Sequence, residues 1–562
     1  MKIRRGWLLG VLAVVIAAIA FVVLRFGGLS REAAELVAEG SHKELREPMR
    51  PARGAPRVLI FALDGVGADE LEAVVRGGRA KNIAHLLGEP RNGEPGVYRH
   101  AYAVPGVLSI LPSTTYAAWT SLFTGEPAGR TGVPGNEWFA REEDRFYAPA
   151  PVSVTDHEQA LQVYSDQLMG RVTRVPTLYE RANVRSYVAL AALQRGADLV
   201  ALPDPGKFGE LVTAFAQGVG DEEAKRDGYA ALDESGVSAL LDAIRTDGVA
   251  DLQVVYFPGV DLWTHVAPNP IGAERAYVET VVDRAVGEVL GAYRRRHALR
   301  DTWVLFVADH GHTPVLDDSV HALGSDGPGE PPEVLRRTGF RVRPFEIEVD
   351  DDERDYQSVL AYQGAIAYVY LADRSACPRP GDRCDWRRPP RLEEDVLPVV
   401  RAFDAASRTG AGVPALRGTI DLIFAREPRP FGTDAAPYQV WDGQRLVPIA
   451  EYLSAHPRPD LVDLERRMDG LATGPYGNHA GDVLLLARTG AHLPIEQRYY
   501  FSGRYHSWHG SPTDQDSRIP LVIARPGADG RQIRQRVHAA AGDRPSQLDI
   551  TRLVLALLGR GG

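Results

Sequence analysis

Six acidic and histidine residues stand next to short apolar runs, where an α/β sheet commonly presents catalytic metal ligands. They are Asp64, Asp261, His265, Asp309, His310 and His509. Carboxylate oxygens and imidazole nitrogens are ligands that zinc takes in proteins. Two such ions side by side can contact both the attacking and the leaving oxygen of a phosphoryl group. The six residues therefore predict a site for two Zn²⁺ ions that acts on a phosphoester.

Thr115 could supply the nucleophile for this chemistry. In the stretch LPSTTYAAWTSLFTG, Pro112 ends the preceding segment, residues 113–115 offer N-cap hydroxyls, and Gly125 closes a short helix predicted over Tyr116–Phe123. Backbone N–H groups and the positive end of the helix dipole gather at a helix N-terminus, where they favour a phosphate. Alone, the pattern is more typical of a capped surface helix. The six candidate ligands favour the catalytic interpretation.

The elements that must position these residues alternate between strands and helices from residue 57 onward. Apolar runs predict buried strands at 57–63, 187–193, 252–257, 302–308, 365–372, 482–487 and 519–524, and helices are predicted over 234–244, 272–296 and 547–558. This alternation is typical of a doubly wound α/β fold, with a mostly parallel sheet and helices on both faces. Sites in such folds form beyond the carboxyl ends of the strands. We therefore expect the candidate ligands at one edge of one sheet.

Composition restricts the class of protein. The 562 residues are 44% hydrophobic and 25% charged, as in ordinary globular proteins, and are numerous enough for more than one structural unit. The net charge of −10 argues against nucleic-acid binding, which favours a basic face.

The first 25 residues predict a membrane signal anchor. Basic residues (Lys2, Arg4 and Arg5) precede an uncharged apolar run over 6–24, and Arg25 closes it. The run is just long enough to span a bilayer. The basic N-terminus then stays in the cytoplasm, and the remainder is exported to the periplasm or cell surface. A cleaved signal peptide is the alternative.

We expect five segments along the chain. They are the anchor (1–25), a tether (26–56), the first part of the catalytic core (57–345), a smaller cap or insert region with one core strand (346–480), and the C-terminal part of the core (481–562). Two cysteines, Cys377 and Cys384, flank a Pro/Gly turn in the insert region. In an exported chain this spacing favours a local disulfide, with two free thiols as the alternative.

Six segments in order resemble the alkaline phosphatase superfamily, in its nucleotide pyrophosphatase/phosphodiesterase (type I phosphodiesterase) branch. They are RVLIFALDGV, PSTTYAAWTSLFTG, GVDLWTH, VADHGH, SWHGSP and SQLDITRLVLALLG, and they extend from about residue 57 to 559. The resemblance implies an alkaline phosphatase-like fold and hydrolysis of a phosphodiester or pyrophosphate bond, with a nucleotide as one candidate substrate. A phosphomonoesterase, a phospho-group transferase and an inactive binding module remain alternatives. The oligomeric state stays open.

The resemblance also implies roles for individual residues. One zinc would be held by Asp64, Thr115, Asp309 and His310, and the other by Asp261, His265 and His509. Thr115 would attack phosphorus and form a covalent phosphothreonine. Asn136 would contact a non-bridging phosphoryl oxygen; it lies in a Gly/Pro-rich turn that could return over the helix N-terminus.

Departures from relatives affect the substrate and the pocket lining. Ala117 and Ala118 replace a Pro-Asn pair that many relatives carry after the nucleophile. Some monoesterase relatives have Lys-x-Arg-Gly over the phosphate, whereas this chain has LQRG with Arg195 and no Lys. Because a dianionic monoester needs more positive charge, the difference favours a diester. Trp119 and Trp138 could stack on an aromatic leaving group or pack in the core, and His312 is expected in a supporting position or a loop.

Overall fold

The structure is a computed structural model that describes residues 56–154, 158–165, 168–202, 222–430 and 432–560. The predicted membrane anchor and the tether up to residue 55 lie outside these residues. Within the described ranges, no helix is both long and apolar enough to cross a membrane.

A seven-stranded sheet forms the centre of the fold. Its strands, in spatial order, are β2 (Ala101–Ala103), β17 (Leu521–Ala524), β8 (Thr302–Ala308), β1 (Arg57–Leu63), β7 (Leu252–Phe257), β5 (Ser186–Ala189) and β6 (Leu199–Ala201). The five strands from β8 to β6 are parallel, and β17 and β2 are antiparallel to their neighbours. Side chains of β1, β7 and β8 are almost all fully buried, as expected for strands covered on both faces. The predicted α/β fold with a mostly parallel sheet is confirmed.

Helices flank this sheet, and the predicted ones are present. In chain order the α-helices are α1 (Ala68–Gly77), α2 (Lys81–Leu87), α3 (Thr115–Thr124), α4 (Ala128–Thr131), α5 (Glu158–Ser165), α6 (Leu168–Val172), α7 (Leu178–Ala182), α8 (Glu222–Asp247), α9 (Gly259–Val266), α10 (Pro270–Tyr277), α11 (Asp283–Arg295), α12 (Pro331–Arg337), α13 (Leu397–Thr409), α14 (Ile449–Ala455), α15 (Leu464–Ala472), α16 (Asp514–Ser517), α17 (Gly530–Ala541) and α18 (Asp549–Leu557). The helix predicted over 272–296 is α10 and α11, joined by the π-helical turn Val278–Val282.

A second, six-stranded antiparallel sheet contains two runs that we expected in the central sheet. Its order is β10 (Ser358–Tyr362), β11 (Ile366–Leu371), β15 (Val483–Ala487), β12 (Ile420–Ala425), β13 (Gln439–Trp441) and β14 (Leu446–Pro448). The core-strand assignments of 365–372 and 482–487 were therefore wrong. Alternate residues of β11 pack into two hydrophobic clusters on opposite faces of this sheet. Burial on both faces gives a continuous apolar run in either kind of sheet, so the run does not reveal which sheet it joins.

Two short two-stranded sheets and one disulfide complete the structure. Strands β3 (Trp138–Ala140) and β4 (Arg145–Tyr147) pair with each other, as do β9 (Thr313–Pro314) and β16 (Ser507–Trp508). Cys377 and Cys384 form a disulfide, which agrees with the favoured interpretation of their spacing.

The antiparallel direction of β17 brings the C-terminal part of the chain to the site. Leu521, the first residue of β17, pairs with Val307 near the carboxyl end of β8. The segment before β17, which contains His509, therefore begins next to the ends of the parallel strands. A strand running parallel to β8 would instead have placed this segment at the opposite edge.

Asp233 fixes the start of helix α9, which carries two of the candidate ligands. Its Oδ1 accepts a hydrogen bond from the backbone N–H of Gly259 at 3.0 Å, and its Oδ2 accepts one from the Tyr277 hydroxyl at 2.8 Å. Burial raises the pKa of the Asp233 carboxyl to about 7, although both hydrogen bonds oppose the shift. The Asp233 carboxyl on α8 thus caps the N-terminus of α9 in a buried position, where its ionised form is destabilised by desolvation.

We expect Asp233→Asn to become relatively more stable than the wild type as the pH rises. The folded-state pKa lies above the unfolded value of 3.8, so the stability that protonation of Asp233 contributes is full at low pH. It is lost at about 1.4 kcal/mol per pH unit between these values and stays lost above about pH 7. The asparagine keeps the acceptor for Gly259, and its amide can donate to the Tyr277 hydroxyl. Melting temperatures at pH 5, 6, 7 and 8 measure the difference.

Asp242→Asn provides the control for this experiment. Asp242 lies on the same helix, with its side chain 69% exposed. Its substitution should change the melting temperature, relative to the wild type, by an amount that barely depends on pH. A constant difference for Asp233→Asn as well would contradict a buried, protonated Asp233.

Candidate metal centre

The structure brings all seven predicted ligands together at the carboxyl ends of the parallel strands. Asp64 directly follows β1, and Asp309 and His310 directly follow β8. Asp261 and His265 lie one turn apart on α9, just beyond β7, and His509 follows β16. Thr115 is the first residue of α3. Strands β1 and β8 therefore deliver candidate ligands at the points where they end, and β7 leads into the helix that carries two more, as expected for this class of fold.

The first group consists of Asp64, Asp309 and His310, whose candidate ligand atoms all lie within 4.8 Å of one another. His310 Nε2 lies 3.5 Å from Asp64 Oδ1 and 3.2 Å from Asp309 Oδ2. The Thr115 hydroxyl oxygen is 3.3 Å from the same nitrogen. The four residues assigned to one zinc by resemblance thus surround one point.

The second group consists of Asp261, His265 and His509, again within 4.8 Å of one another. Asp261 Oδ1 lies 3.5 Å from His265 Nε2 and 3.8 Å from His509 Nε2. The two groups are adjacent, because the rings of His310 and His509 stack with centroids 3.6 Å apart. The arrangement matches two neighbouring ions that share one substrate.

Backbone carbonyls set the tautomers of the three histidines. Nδ1 of His265 is 2.8 Å from Ser507 O, Nδ1 of His310 is 3.2 Å from Gly311 O, and Nδ1 of His509 is 3.0 Å from Ser113 O. A carbonyl only accepts, so each Nδ1 carries the hydrogen and each Nε2 keeps its lone pair. Burial lowers the pKa of His265 to about 4 and that of His310 to about 3, which keeps both rings neutral near pH 7. Neutral imidazoles with a free Nε2 are the form that binds metals.

The carboxylates leave one oxygen each for a cation. Asp64 Oδ1, Asp309 Oδ2 and Asp261 Oδ1 are buried and have no hydrogen-bond partner among the described residues. The other oxygens of Asp64 and Asp309 accept hydrogen bonds from Trp119 Nε1 and Gly65 N. Burial and the neighbouring carboxylates raise the pKa values of Asp64 and Asp309 well above the ordinary range. Buried charges of one sign this close require positive charge between them, so the residues fit divalent ions.

Asp64 is held by two aromatic residues whose roles we did not predict. Trp119 Nε1 donates to Asp64 Oδ2 at 3.3 Å, and the Tyr256 hydroxyl donates to the same oxygen. Trp119 is 1% exposed, so it positions a ligand and does not stack on a leaving group. Its place one turn after Thr115 was a usable signal, since a helix brings residues four apart to one face. Tyr256 is the next-to-last residue of a buried strand, and nothing in the sequence marks it.

His312 contacts the second group from its outer side. Its Nε2 lies 2.9 Å from Asp261 Oδ1, and its Nδ1 lies 3.1 Å from the Ser507 hydroxyl. That hydroxyl donates its hydrogen to Thr264 O at 2.9 Å, so Nδ1 of His312 is the donor to Ser507. These contacts fit the supporting position expected from the sequence, while Asp261, His310 and His312 also form a group whose candidate ligand atoms all lie within 4.8 Å of one another.

Gly65 leaves room for His312 Nε2 and Asp261 Oδ1 to approach each other. The residue has φ of +68°, and a Cβ here would lie 2.5 Å from His312 Nε2 and 2.8 Å from Asp261 Oδ1. A side chain would displace both groups in addition to straining the backbone.

Asn136 faces the N-terminus of α3 with its amide. Its Oδ1 accepts a hydrogen bond from the backbone N–H of Tyr116 at 3.1 Å. This contact fixes the side chain beside the N-terminus of α3 and leaves Nδ2 as the donor of the amide. Asn136 is not among the residues with positive φ. A left-handed turn therefore does not explain its presence.

A turn of the second sheet supports both Asn136 and His509. The side-chain oxygen of Gln363, between β10 and β11, accepts a hydrogen bond from Asn136 N at 2.6 Å. Two residues later, Ala365 N donates to His509 O at 3.1 Å. Gly135 permits this approach, since a Cβ there would lie 1.9 Å from the Gln363 side chain. Sequence reasoning missed the turn, because its residues carry no catalytic chemistry of their own.

Other candidate residues lie in structural roles. Arg195 is bound to the carbonyls of Gly170, Thr173 and Val175 and to Glu180, so it anchors a neighbouring loop. Trp138 is 1% exposed and stacks on Tyr147. A further buried histidine, His479, is held by Gly132 O and Glu142.

Comparisons with known proteins agree on a family and a fold. A family model described as type I phosphodiesterase / nucleotide pyrophosphatase matches residues 58–375. No curated protein sequence matches the chain. Among solved structures, alkaline phosphatase PafA has 13% identity and a TM-score of 0.52, with 90% of this chain and 96% of that chain covered.

Two further solved structures cover the same share of this chain. Phosphonoacetate hydrolase from Sinorhizobium meliloti 1021, in complex with phosphonoacetate, has 14% identity and a TM-score of 0.48, with 90% and 96% covered. Murine ectonucleotide pyrophosphatase/phosphodiesterase 5 has 11% identity and a TM-score of 0.47, with 90% and 95% covered.

We expect Asn136→Ala to lower kcat/KM for a phosphodiester by roughly 10²–10³, because one preorganised hydrogen-bond donor is lost. Metal content and melting temperature should stay near the wild-type values, which shows that the lost function is not a lost fold. Asn136→Gly should lose activity to a similar extent. Full activity in the glycine variant would mean that the residue serves only the turn.

Proposed function

Because the chain belongs to the type I phosphodiesterase/nucleotide pyrophosphatase family, we propose that it is a two-zinc hydrolase that cleaves a phosphodiester or pyrophosphate bond. The family model covers residues 58–375, more than half of the chain. The substrate is a small phosphoester of the nucleotide type. Hydrolysis passes through a covalent phosphothreonine on Thr115.

One observation carries the proposal. Two adjacent groups of neutral imidazoles and orphaned carboxylate oxygens meet a half-buried threonine hydroxyl at a helix N-terminus. Ser113 and Thr114, the preceding hydroxyl residues, are fully buried. Thr115 is therefore the hydroxyl of this segment that a substrate can reach.

Asp64, Asp309, His310 and Thr115 would hold one ion, and Asp261, His265 and His509 the other. The ions supply Lewis-acid charge that lowers the pKa of a bound hydroxyl and neutralises phosphoryl oxygens. Thr115 Oγ1 attacks phosphorus in line, and the bond to the leaving oxygen breaks. A water molecule then attacks the phosphorus from the side that the leaving group has vacated, and the bond between phosphorus and Thr115 Oγ1 breaks. Asn136 Nδ2 donates to a phosphoryl oxygen as negative charge builds up.

Charge balance supports a diester substrate. Two divalent cations contribute +4, against three carboxylates and an ionised Thr115, so the centre is close to neutral. Arg195 is committed to loop carbonyls and Glu180, and the donor beside Thr115 is the neutral amide of Asn136. A monoanionic diester needs less additional positive charge than a dianionic monoester.

Thr115→Ala should reduce turnover below a few per cent of the wild type, because nucleophile and ligand are lost together. Thr115→Ser should keep partial activity, since the hydroxyl remains. The matched control is Thr114→Val, which removes a buried hydroxyl without a partner among the described residues. Rates on a matched diester and monoester measure both the role of Thr115 and the substrate class. Substantial turnover by folded Thr115→Ala would refute the nucleophile.

Purified protein should contain about two zinc ions per chain, and a chelator should abolish its activity. His310→Ala and His265→Ala remove ligands from different groups, so each should lose chiefly one ion. Elemental analysis measures the content. Active enzyme without any transition metal would contradict the site, and equal loss of both ions in each variant would contradict two separate groups.

We also propose that residues 1–25 anchor an exported protein, on the basis of their sequence pattern. The protein should then remain in the membrane fraction after washing with high salt and should be released by detergent. Release by salt alone, or a mature protein that lacks residues 1–25, would contradict the anchor.

A further inference from the structure

A basic groove lies beside the end of the second sheet, outside the candidate metal centre. Its cavity volume is about 40 Å³, and none of the seven candidate metal ligands lines it. Its charged and aromatic lining consists of Arg141, Trp386, Arg387, Arg426, Arg429 and Asp482, with Glu427 at the edge. Arg426 follows β12, Asp482 precedes β15, and Arg141 follows β3. The proposed hydrolysis assigns no task to these residues.

Two buried arginines and one buried carboxylate line the groove. Arg141, Arg426 and Asp482 are 6%, 3% and 7% exposed. Asp482 accepts a hydrogen bond from Arg141 and a second one from Leu371 N at 2.8 Å. The three side chains therefore carry a net positive charge in a place that is nearly closed to water. Such a charge is costly unless an anion compensates it.

Arg426 is the group that lacks compensation. One terminal nitrogen donates to Gly481 O, and the guanidinium lies 4.7 Å from the centre of the Tyr438 ring. Its other terminal nitrogen, Nη1, is buried and has no hydrogen-bond partner among the described residues. Arginine normally places its planar fork of donors against a carboxylate or phosphate, and here half of the fork is unused.

Two arginines at the rim of the groove add positive charge, and prolines restrict the backbone of the lining segments. Arg387 and Arg429 are exposed at the edge of the groove, and Arg429 is anchored by a hydrogen bond to Asp434 O at 3.2 Å. Counting all lining residues, four arginines face two carboxylates, a net charge of +2. Four prolines (Pro389, Pro390, Pro428 and Pro430) also line the groove. Proline fixes its own φ, so less conformational entropy is lost when a ligand binds.

We propose that this groove is a second anion site, which binds a phosphate group through Arg426 and the rim arginines. The net charge of +2 matches a phosphate dianion. The bound oxygens satisfy the orphaned Nη1 of Arg426 and compensate the buried charge. The inference is independent of the proposed hydrolysis, since it needs neither the metal ions nor Thr115.

Equilibrium dialysis of the full-length protein against radiolabelled inorganic phosphate tests the site. Arg426→Met keeps the length of the side chain but removes its charge and donors, and it should bind one phosphate ion fewer per chain than the wild type. Arg429→Gln, at the exposed rim, should keep the stoichiometry and raise the Kd of the groove site roughly two- to fivefold. Inhibition of hydrolysis by phosphate should be the same in both variants as in the wild type.

The control variant is Arg445→Gln. Arg445 belongs to the same region, is 71% exposed, pairs with Glu451 and does not line the groove. Its phosphate binding should equal that of the wild type. Unchanged stoichiometry in folded Arg426→Met would overturn the proposal. So would an Arg445→Gln variant that weakens binding as much as Arg429→Gln, because that result indicates general attraction by surface charge.

Discussion

Three carboxylates lie close together in the buried interior, and their mutual repulsion is the constraint on which the centre depends. Asp64, Asp309 and Asp261 are 2%, 0% and 7% exposed, and each has an oxygen without a hydrogen-bond partner among the described residues. In a medium of low polarity, two such charges a few ångströms apart repel by several kcal/mol even at an effective dielectric constant near 20. The packing of two sheets and their helices maintains an arrangement that the isolated side chains would avoid.

Hydrogen bonds to their outer atoms restrain candidate ligands, and the remaining oxygen or nitrogen atoms stay free. Trp119 and Tyr256 hold one oxygen of Asp64, and backbone carbonyls hold Nδ1 of the histidines. As a result, the lone pairs of the imidazole Nε2 atoms and of the free carboxylate oxygens are already oriented toward the centre of the site. Outer contacts of this kind typically change metal affinity by about 10- to 100-fold when they are removed.

Much of the site was predictable because parallel strands end at one edge. The runs at 57–63, 252–257 and 302–308 became β1, β7 and β8 at the predicted bounds, and the polar residues after them met as expected. The sequence could not assign 365–372 and 482–487 to a sheet, because burial on both faces leaves the same apolar pattern. Contacts made through backbone atoms or ordinary side chains, such as Gln363 and Tyr256, were equally hidden. They depend on tertiary approach and not on residue type.

The turn between β10 and β11 has a consequence for the modularity of the protein. Gln363 holds the backbone of Asn136, and Ala365 holds the backbone of His509, so the second sheet contributes directly to the geometry of the candidate site. The central sheet and its helices therefore do not fix the geometry of the candidate site without the second sheet. Grafting another domain in its place would have to reproduce both contacts, whereas loops of the second sheet remote from the turn are free to diverge. The smallest transplantable unit includes both sheets.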